Sequence, residues 1–502
     1  MDTGSSLPTP AFDVLPSLAC DTPSLRTTIG PFSKLDAGDW GSQAVDAGPG
    51  HFILSSGIGV GDLNDDGWND IVIPRRTGLD LYLSDGAGGL VRSPMPPVAH
   101  DAVGVSVVDY DGDGDLDLYL SQYNGYPDAL LENNGRARFT NATAGSGIGV
   151  HAYGVGSSWA DVDGDGDLDL LALNHGNWID TRSESSYLYE NLGEGRFTRV
   201  EDAFPSMSGY GHTLAGGFLD LNLDGLPEVY LVNDYGWILP NWLLINDGDR
   251  LRVADPAFGL TLRICGMGMA ETDLNDDGVP DLFLSSWEEL RLLKSSPLGW
   301  VDHTAAAGLQ TQTELGRYVA WGADFGDIDN DGDDDLFVGF GGINANLDNP
   351  SSQPDALYLQ DGEGNFIEVA ESWRIADSAR TRGAVLVDVD GDGWLDLIKR
   401  NKGQPAVYRP ARCGERAWLG VQLRDEGPNT RAVGARIRVI DEGFQELRVV
   451  RAGGRSLASG GSPEVHFGLG DLQAVSLEIT WPDGEVQRIE QIETRQRIRV
   501  RR

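Results

Sequence analysis

A nine-residue acidic pattern recurs seven times in this 502-residue chain and constrains its fold more than any other feature. The pattern is Asp-x-(Asp/Asn)-x-Asp-Gly-x-x-(Asp/Glu), and its clearest copy, DVDGDGDLD at residues 161–169, holds five aspartates. The copies begin 47, 52, 59, 53, 54 and 61 residues apart, at Asp62, Asp109, Asp161, Asp220, Asp273, Asp327 and Asp388. A period near fifty residues predicts a propeller or another repeat array.

The spacing within each copy suits one hard cation. Oxygen atoms at positions 1, 3, 5 and 9, with the backbone carbonyl at position 7, can surround a single ion, and the glycine at position 6 supplies the positive φ of a sharp turn. Calcium accepts six to eight oxygens in a flexible shell, whereas magnesium demands a strict octahedron and keeps its waters. The pattern therefore predicts Ca²⁺ as the cofactor, with up to seven ions.

The predicted metal ligands are the residues at positions 1, 3, 5, 7 and 9 of each loop, with position 7 contributing its carbonyl oxygen. In the first four loops they are Asp62, Asn64, Asp66, Trp68 and Asp70; Asp109, Asp111, Asp113, Asp115 and Asp117; Asp161, Asp163, Asp165, Asp167 and Asp169; and Asp220, Asn222, Asp224, Leu226 and Glu228. In the last three they are Asp273, Asn275, Asp277, Val279 and Asp281; Asp327, Asp329, Asp331, Asp333 and Asp335; and Asp388, Asp390, Asp392, Trp394 and Asp396.

The charge of the whole chain favours bound cations. The chain has 78 acidic and 38 basic residues and a formal charge of −40. This balance argues against nucleic acid or an anionic membrane as the main partner. No run of about twenty apolar residues is present, so the sequence predicts no membrane span. Seven calcium ions would ease the like-charge repulsion without abolishing it.

Two other interpretations of the loops are weaker. An EF-hand or dockerin loop begins in the same way, but an EF-hand needs flanking helices and a bidentate glutamate at position 12. Here the flanking segments, such as GVGSSWA before Asp161 and LDLLALN after it, alternate as strands do. A solvated acidic turn without metal is plausible for one loop but not for seven at regular spacing.

The alternating segments of each repeat unit predict four short strands, the number that forms one propeller blade. The loop, the strand order and turns of the YENLGEGRF type resemble the FG-GAP or VCBS repeat family, of which the integrin α-subunit propeller is a member. The resemblance covers residues 30–410 and implies a seven-bladed β-propeller. The last blade offers only three strands, so we expect residues 30–37 to complete it and residues 1–29 to form an N-terminal arm.

The composition changes at the C-terminus, where residues 411–502 hold 15 arginines against 13 acidic residues. Alternating segments such as ARIRVID and VSLEITW predict a small antiparallel β-sandwich-like domain, which makes the chain all-β. The motifs WLGVQL, NTRAVGARIRV, EVHFGLG and WPDG resemble the ASPIC/UnbV domain, which follows FG-GAP repeats in the cartilage acidic protein-like family. His466, within EVHFGLG, is interpreted as a half-buried hydrogen-bonding histidine rather than a metal ligand or base.

A ligand site is expected on the face away from the acidic loops, where the loops between strands two and three and the entries to each blade lie. This face concentrates the aromatic and histidine residues Tyr123, Tyr126, His151, Tyr153, His175, Trp178, His212, Tyr235, Trp237, Trp287 and Tyr318. Aromatic and polar side chains that converge on a funnel are typical of a ligand site. Loop aromatics are equally typical of packing under long connections, so both interpretations stay open.

Three functions are compatible with these patterns. The first is a calcium-binding module that presents its aromatic face to a carbohydrate, peptide or protein. The second is an enzyme with an active site in the axial funnel, in which His151 and His212, with His100 and Cys265 or Met267, could hold a transition metal such as copper or zinc. The third is a calcium-dependent scaffold. No Ser-His-Asp order, nucleophile elbow, phosphate loop or HExxH motif is present.

The compartment is argued from the calcium loops. Sites built from three or four carboxylates need free calcium that the cytosol seldom offers, which favours an extracellular or periplasmic location. The first residues, MDTGSSLPTPAF, do not resemble a signal peptide, so a cytoplasmic location stays open. The three cysteines, Cys20, Cys265 and Cys413, are too few for a disulfide framework or a zinc site.

Overall fold

The computed structural model describes residues 12–17, 32–34, 57–97, 100–149, 153–176, 185–204, 211–248, 250–309, 317–343, 353–376, 379–402, 405–410, 416–454 and 459–502. The ligand-face candidates His151 and Trp178 lie outside the described residues, as do Cys20 and Cys413. Within these ranges the chain is almost entirely β-strand and has no α-helix. The all-β class predicted from the sequence is confirmed.

Two N-terminal strands join sheets that are otherwise built by distant parts of the chain. Strand β1 (Phe12–Leu15) pairs antiparallel with the last strand of the chain, with Val14 opposite Ile498. Strand β2 (Phe32–Lys34) pairs antiparallel with the segment that ends at Pro410, with Ser33 opposite Arg409. The first strand therefore pairs with the last strand of the chain, and the second strand joins a sheet of the propeller.

The chain next forms six four-stranded antiparallel sheets in sequence order, and blade 3 takes one further strand from the C-terminal domain. Blade 1 is β3 (Gly59–Gly61), β4 (Asp70–Arg75), β5 (Gly78–Ser84) and β6 (Leu90–Ser93); blade 2 is β7 (Ala102–Val108), β8 (Asp117–Gln122), β9 (Ala129–Asn133) and β10 (Phe139–Asn141); blade 3 is β11 (Gly154–Ala160), β12 (Asp169–Asn174), β13 (Tyr187–Asn191) and β14 (Phe197–Arg199). Blade 4 is β15 (Thr213–Leu219), β16 (Glu228–Asn233), β17 (Trp242–Asn246) and β18 (Leu251–Val253), followed by the 3-10 helix η1 (Pro256–Phe258); blade 5 is β19 (Gly266–Thr272), β20 (Asp281–Ser286), β21 (Leu290–Lys294) and β22 (Val301–Asp302); blade 6 is β23 (Ala320–Gly326), β24 (Asp335–Phe340), β25 (Ala356–Gln360) and β26 (Phe366–Glu368).

Blade 7 is closed by the N-terminal segment. Its strands are β27 (Thr381–Val387), β28 (Asp396–Asn401) and β29 (Ala406–Pro410), and β2 is the fourth strand of the same sheet. Apolar side chains of blades 7 and 1 share one buried cluster, in which Val385 and Val387 pack with Val60 and Ile71. The ring of seven sheets therefore meets itself at this boundary.

The first strand of each blade is inside the ring and is enclosed on both faces. All seven residues of β7, β11, β15, β23 and β27 are buried, and they are mostly small or β-branched. The fourth strands are partly exposed, as in β10, where only Phe139 is buried. Continuous burial on the first strands and alternation on the last agree with a propeller, in which neighbouring sheets pack face to face.

The C-terminal domain consists of two four-stranded sheets around a separate core. Its strands are β30 (Trp418–Arg424), β31 (Arg436–Asp441), β32 (Phe444–Val449), β33 (Ala452–Gly453), β34 (Val465–Gly468), β35 (Ala474–Thr480), β36 (Val486–Glu493) and β37 (Gln496–Arg501). One sheet has the order β1-β37-β30-β34 and the other β32-β31-β35-β36. The pair β30–β37 is parallel, a detail that strand alternation does not predict.

A glycine-rich segment of this domain enters the centre of the ring. We call residues 451–454 and 459–462 the axial finger. Strand β33 pairs with β11, and the Gly460 N–H donates to the Ile58 carbonyl at 2.9 Å. At Gly453, φ is 67° and an added Cβ would lie 2.4 Å from the Ser157 carbonyl oxygen, so a side chain cannot fit there. The finger is therefore glycine-rich because backbone packs directly on backbone.

Candidate metal loops and ligand face

Each acidic loop closes on the carboxylate at its first position. The N–H of the glycine at position 6 donates to that carboxylate in all seven loops, over distances from 2.7 Å at Gly332 to 3.3 Å at Gly225. The φ angles of these glycines lie between 85° and 103°. This left-handed conformation disfavours any side chain, which explains why glycine stands at position 6 of every copy.

The carboxylate at position 5 also accepts a backbone donor. The N–H of residue 7 donates to it in every loop, for example from Asp167 to Asp165 Oδ1 at 2.9 Å. The other residues at position 7 make the same bond: Trp68, Asp115, Leu226, Val279, Asp333 and Trp394. This bond fixes the backbone at position 7, whose carbonyl oxygen is a predicted ligand.

The carboxylate at position 9 is oriented from two sides. In blade 3, Asp169 Oδ2 accepts the Val162 N–H at 2.9 Å, and Asp169 Oδ1 accepts the Asn191 N–H from the third strand at 2.8 Å. The same pair of bonds holds Asp70 in blade 1 and Asp281 in blade 5. The residue at position 9 is therefore the first residue of strand two, and backbone donors from the loop and from strand three fix the orientation of its carboxylate.

Carboxylate oxygens converge in four of the loops. Within each of these loops, ligand atoms of positions 1, 3 and 9 all lie within 4.8 Å of one another, and the groups are Asp109, Asp111 and Asp117; Asp161, Asp163 and Asp169; Asp327, Asp329 and Asp335; and Asp388, Asp390 and Asp396. The other three loops have an asparagine at position 3: Asn64, Asn222 and Asn275. Among the described residues no group of this kind includes a histidine or cysteine.

Burial disfavours the charged form of the loop carboxylates when no cation is nearby. Burial raises the pKa of Asp117 to about 9, that of Asp70 to about 8 and that of Glu228 to about 7. Asp117 Oδ2 and Asp220 Oδ1 are buried and have no hydrogen bond partner among the described residues. Buried, oriented carboxylates with open lone pairs fit a hard divalent cation, which would stabilise their charged form.

The C-terminal domain covers the face that carries the acidic loops, and its arginines contact them. Arg416 pairs with Asp329, Arg448 Nη2 lies 2.6 Å from Asp334 Oδ1, and Arg431 Nη2 donates to the Gly114 carbonyl at 2.6 Å. Arg436, Arg497 and Arg499 contact other loops in the same way. We did not predict this docking from the sequence, although the arginine-rich composition opposite the acidic loops was a signal for it.

The axial finger leaves a small polar cavity of about 80 Å³ between itself and the inner strands. Asp324, Glu464 and His466 line it. Burial lowers the pKa of His466 to about 4, and its Nε2 hydrogen-bonds the Gly393 carbonyl at 3.1 Å. The imidazole is therefore neutral and acts as a hydrogen-bonding side chain between domain and loop. A cavity of this size suits a few water molecules rather than a ligand.

A larger cleft of about 510 Å³ lies between blades 3 to 5 and the C-terminal domain. The loops that start at Asp220 and Asp273 form one wall, and Arg436 and Trp481 belong to the other. No sequence motif predicted this cleft, because its two walls come from distant parts of the chain, such as Asp273 and Arg436.

The predicted ligand face is partly packed and partly exposed. Tyr123, His175 and His212 are buried, while Tyr153, Tyr235, Trp287 and Tyr318 are half-buried. Tyr126 is 41% exposed and Trp237 is 66% exposed, with the neighbouring Ile238 also exposed. Packing therefore accounts for several of the predicted aromatics, and Trp237 of blade 4 is the most exposed of those that the structure describes.

A histidine and tyrosine cluster lies below Trp237. The ring centroids of His175 and His212 are 5.1 Å apart, that of Tyr235 lies 5.0 Å from His212, and that of Trp237 lies 5.2 Å from Tyr235. His212 Nδ1 lies 2.9 Å from the His175 carbonyl, which assigns the proton of a neutral ring to Nδ1. His175 Nε2 is 3.5 Å from Asp234 Oδ2, a residue that sequence reasoning missed.

Cys265, the one cysteine among the described residues, interacts electrostatically with Asp234 and Tyr235 of this cluster. Burial, with the charge of Asp234, raises the pKa of its thiol to about 11, so the thiol is protonated near neutral pH. The transition metal predicted at His151 and His212 stays a prediction, because His151 lies outside the described residues.

Family models match two parts of the chain. The FG-GAP-like repeat model matches residues 62–120, 109–172 and 343–398, and the ASPIC and UnbV model matches residues 425–502. The chain therefore carries FG-GAP-like repeats followed by an ASPIC/UnbV domain, as the motifs predicted.

Curated relatives match most of the chain. The chain is similar to cartilage acidic protein 1 of Mus musculus and of Homo sapiens, with 27% identity over 482 residues in each case. The match covers 86% of this chain and 71% and 69% of the two relatives.

The chain is also similar to solved structures, at low sequence identity. An Agrocybe aegerita lectin that recognises non-reducing terminal N-acetylglucosamine has a TM-score of 0.43 and 16% identity, and covers 71% of this chain and 94% of its own. The extracellular domain of a two-component system from B. thetaiotaomicron has a TM-score of 0.45 and 9% identity, and covers 95% of this chain and 58% of its own. The described part of the present chain contains no helix long and apolar enough to cross a membrane.

Proposed function

For a chain that carries FG-GAP-like repeats and an ASPIC/UnbV domain, we propose a calcium-binding β-propeller that recognises a ligand on the face opposite its acidic loops. Calcium is structural in this proposal and stiffens the turn between the first two strands of the blades. The ligand is a carbohydrate, peptide or protein that stacks on exposed aromatic side chains.

One observation carries the choice of face. The C-terminal domain covers the acidic loops and fills the axis, through contacts such as Arg448 with Asp334 and Arg451 with Glu271. These contacts occupy part of the acidic-loop face, although the outer residues of several loops, such as Asp165 and Asp224, stay exposed. The opposite face keeps Trp237 and Ile238 exposed beside Tyr235 and the two histidines. Exposed aromatic and apolar side chains next to convergent polar groups favour a recognition site.

The calcium part of the proposal rests on the loops themselves. Carboxylates converge at positions 1, 3 and 9, and some buried oxygens have no hydrogen bond partner among the described residues. This donor set suits calcium better than magnesium, because calcium accepts a flexible shell of six to eight oxygens whereas magnesium requires a strict octahedron. Such sites fill readily where free calcium is plentiful, which supports an extracellular or periplasmic location. The similarity to cartilage acidic proteins supports the same location.

The proposal is tested by binding of the full chain to arrays of immobilised glycans and peptides. We expect a specific set of bound probes in the presence of calcium, and at least a tenfold loss of binding in Trp237→Ala, because one stacked aromatic contributes about 1.5 kcal/mol or more. Leu298→Ala is the matched control, since Leu298 is 91% exposed but lies in a different blade and turn. Equal binding by both variants and the parent chain would place the site elsewhere.

A second function, catalysis on the same face, is favoured by the His212–His175–Asp234 arrangement. With its proton on Nδ1, His212 directs a basic Nε2 away from the His175 carbonyl, and burial lowers the pKa of this imidazole. A neutral imidazole can serve as a general base or a transition-metal ligand. Stoichiometric copper, zinc or iron in the purified protein would favour this second function over recognition.

A further inference from the structure

Blade 7 lacks a hydrogen bond donor that the other six blades use in their acidic loops. In those blades the third strand supplies a backbone N–H to the carboxylate at position 9. The donor residues are Ser84, Asn133, Asn191, Asn246, Ser295 and Gln360. The strand register places Pro410 at the corresponding position of blade 7, since Leu397 is opposite Tyr408. Proline has no N–H, so Asp396 loses this partner.

The residue before Pro410 supplies a charge in its place. Arg409 Nε lies 3.6 Å from Asp396 Oδ2, and Arg409 Nη1 lies 3.1 Å from Asp390 Oδ2. These carboxylates are positions 9 and 3 of the loop, and both converge with Asp388. The guanidinium therefore lies against two of the three carboxylates that would share an ion.

Among the described residues no other blade has an arginine at this position of its third strand. In loop 6, Arg416 of the C-terminal domain contacts Asp329 and Asp331, at positions 3 and 5, but not the carboxylate at position 9. At the register position of Arg409 the other blades carry Leu83, Glu132, Glu190, Ile245, Lys294 and Leu359. Lys294 is the only other basic residue in this set. An added Cβ at Gly364 would lie 3.4 Å from Lys294 Nζ, so this ammonium group is directed toward a turn of blade 6.

The guanidinium is held firmly in loop 7. The Arg409 side chain is only 15% exposed, and its Nη1 also donates to the Gly88 carbonyl of blade 1. Asp390 Oδ1, an acceptor, and Arg409 Nη2, a donor, are both buried without a hydrogen bond partner among the described residues. Arginine is always charged, and a divalent ion in this loop would lie beside that fixed positive charge.

We propose that Arg409 takes the place of calcium in the loop at residues 388–396, so that its positive charge offsets part of the carboxylate charge of blade 7 and no ion binds there. The inference rests on the proposed calcium binding of the other loops. Blade 7 is also the blade that β2 completes. The sheet that closes the ring is therefore stabilised by the guanidinium of Arg409 and does not depend on a bound ion. Withdrawal of calcium then loosens the remaining blades before it opens the ring.

The number of bound calcium ions tests this proposal. The full chain and its variants are stripped with a chelator, titrated with calcium chloride by isothermal calorimetry, and counted by native mass spectrometry. Asp163→Ala and Asp390→Ala remove the oxygen atoms at the same loop position in blades 3 and 7, a position that is Asp or Asn in every copy. We expect Asp163→Ala to lower the count by one and Asp390→Ala to leave it unchanged. A loss of one ion in Asp390→Ala would overturn the proposal.

Replacement of the arginine gives the converse test. Arg409→Gln should bind one calcium ion more than the parent chain, while Arg409→Lys, which keeps the charge, should not. Arg252→Gln, which removes an exposed arginine paired with Asp247, is the control and should keep the parent count. An unchanged count in a folded Arg409→Gln contradicts the proposal. If Arg409→Gln does not fold, the comparison of Asp163→Ala with Asp390→Ala decides. A parent chain that binds no calcium would instead refute the proposed function.

Discussion

Asp128 shows what a buried carboxylate in this chain does when protein donors, and not an ion, satisfy it. Its Oδ2 accepts the Tyr119 hydroxyl at 2.5 Å and its Oδ1 accepts the Gln122 N–H at 2.7 Å. It lies before β9, on the face away from the acidic loops. Burial raises its pKa to about 7 despite both bonds. The native protein therefore binds a proton there that the unfolded chain releases.

The pH dependence of stability should follow from this shift. Because the folded pKa of Asp128 exceeds its unfolded value of 3.8, its stabilising contribution is full in acid and is lost as the pH rises toward 7. In Asp128→Asn the amide oxygen can still accept the Gln122 N–H while the amide nitrogen donates to the Tyr119 hydroxyl, so both contacts are kept and the titration is removed. Between pH 5 and pH 8, at saturating calcium, we expect the parent chain to lose on the order of 2 kcal/mol more than the variant. Parallel stability profiles for the two proteins, measured by denaturant unfolding, would contradict this.

At the scale of elements, the two N-terminal strands illustrate what sequence can and cannot predict. A blade with three strands and a spare apolar segment at residues 30–37 led us to expect a closing strand there, and β2 spans Phe32–Lys34 beside β29. The pairing of β1 with β37 was not anticipated. FDVL is a short alternating segment like many others, and its partner is chosen by the edge that the folded C-terminal domain leaves open.

Truncation separates the contributions of these strands. Deletion of residues 1–17 removes β1, exposes the edge of β37 and removes the Pro16 carbonyl that accepts from Arg497 Nη1 at 3.0 Å. Deletion of residues 1–37 also removes β2 and opens the sheet of blade 7. We expect the melting temperature to fall by a few degrees in the first case and by clearly more in the second. Equal melting temperatures for the two truncations would mean that β2 does not close the ring.

At the scale of the whole molecule, the negative charge of the acidic loops is partly balanced by arginines of the C-terminal domain. The acidic loops, the turn glycine at position 6 and the strand count were readable from the sequence because each depends on local spacing. The docking of the domain was not, because it depends on surfaces that are far apart in the chain, as between Arg451 and Glu271. The arginine-rich composition of residues 411–502 is consistent with this docking, but it does not predict the entry of the axial finger into the ring.

Cooperative unfolding of propeller and C-terminal domain should depend on the ion pair between Arg451 and Glu271, whose Nε and Oε1 atoms lie 2.9 Å apart inside the interface. Arg451→Met removes this pair and leaves a buried carboxylate, which costs about 3 kcal/mol or more, and the added change Glu271→Met should recover part of the loss. Arg488→Met is the control, because Arg488 pairs with Glu478 at the surface and contributes below about 1 kcal/mol. Calorimetry at saturating calcium should show one transition for the parent chain and the control, and an earlier, separate transition of the C-terminal domain in Arg451→Met. If Arg451→Met and the control unfold alike, the domain is held by the loop contacts of the other arginines and not by the axial finger.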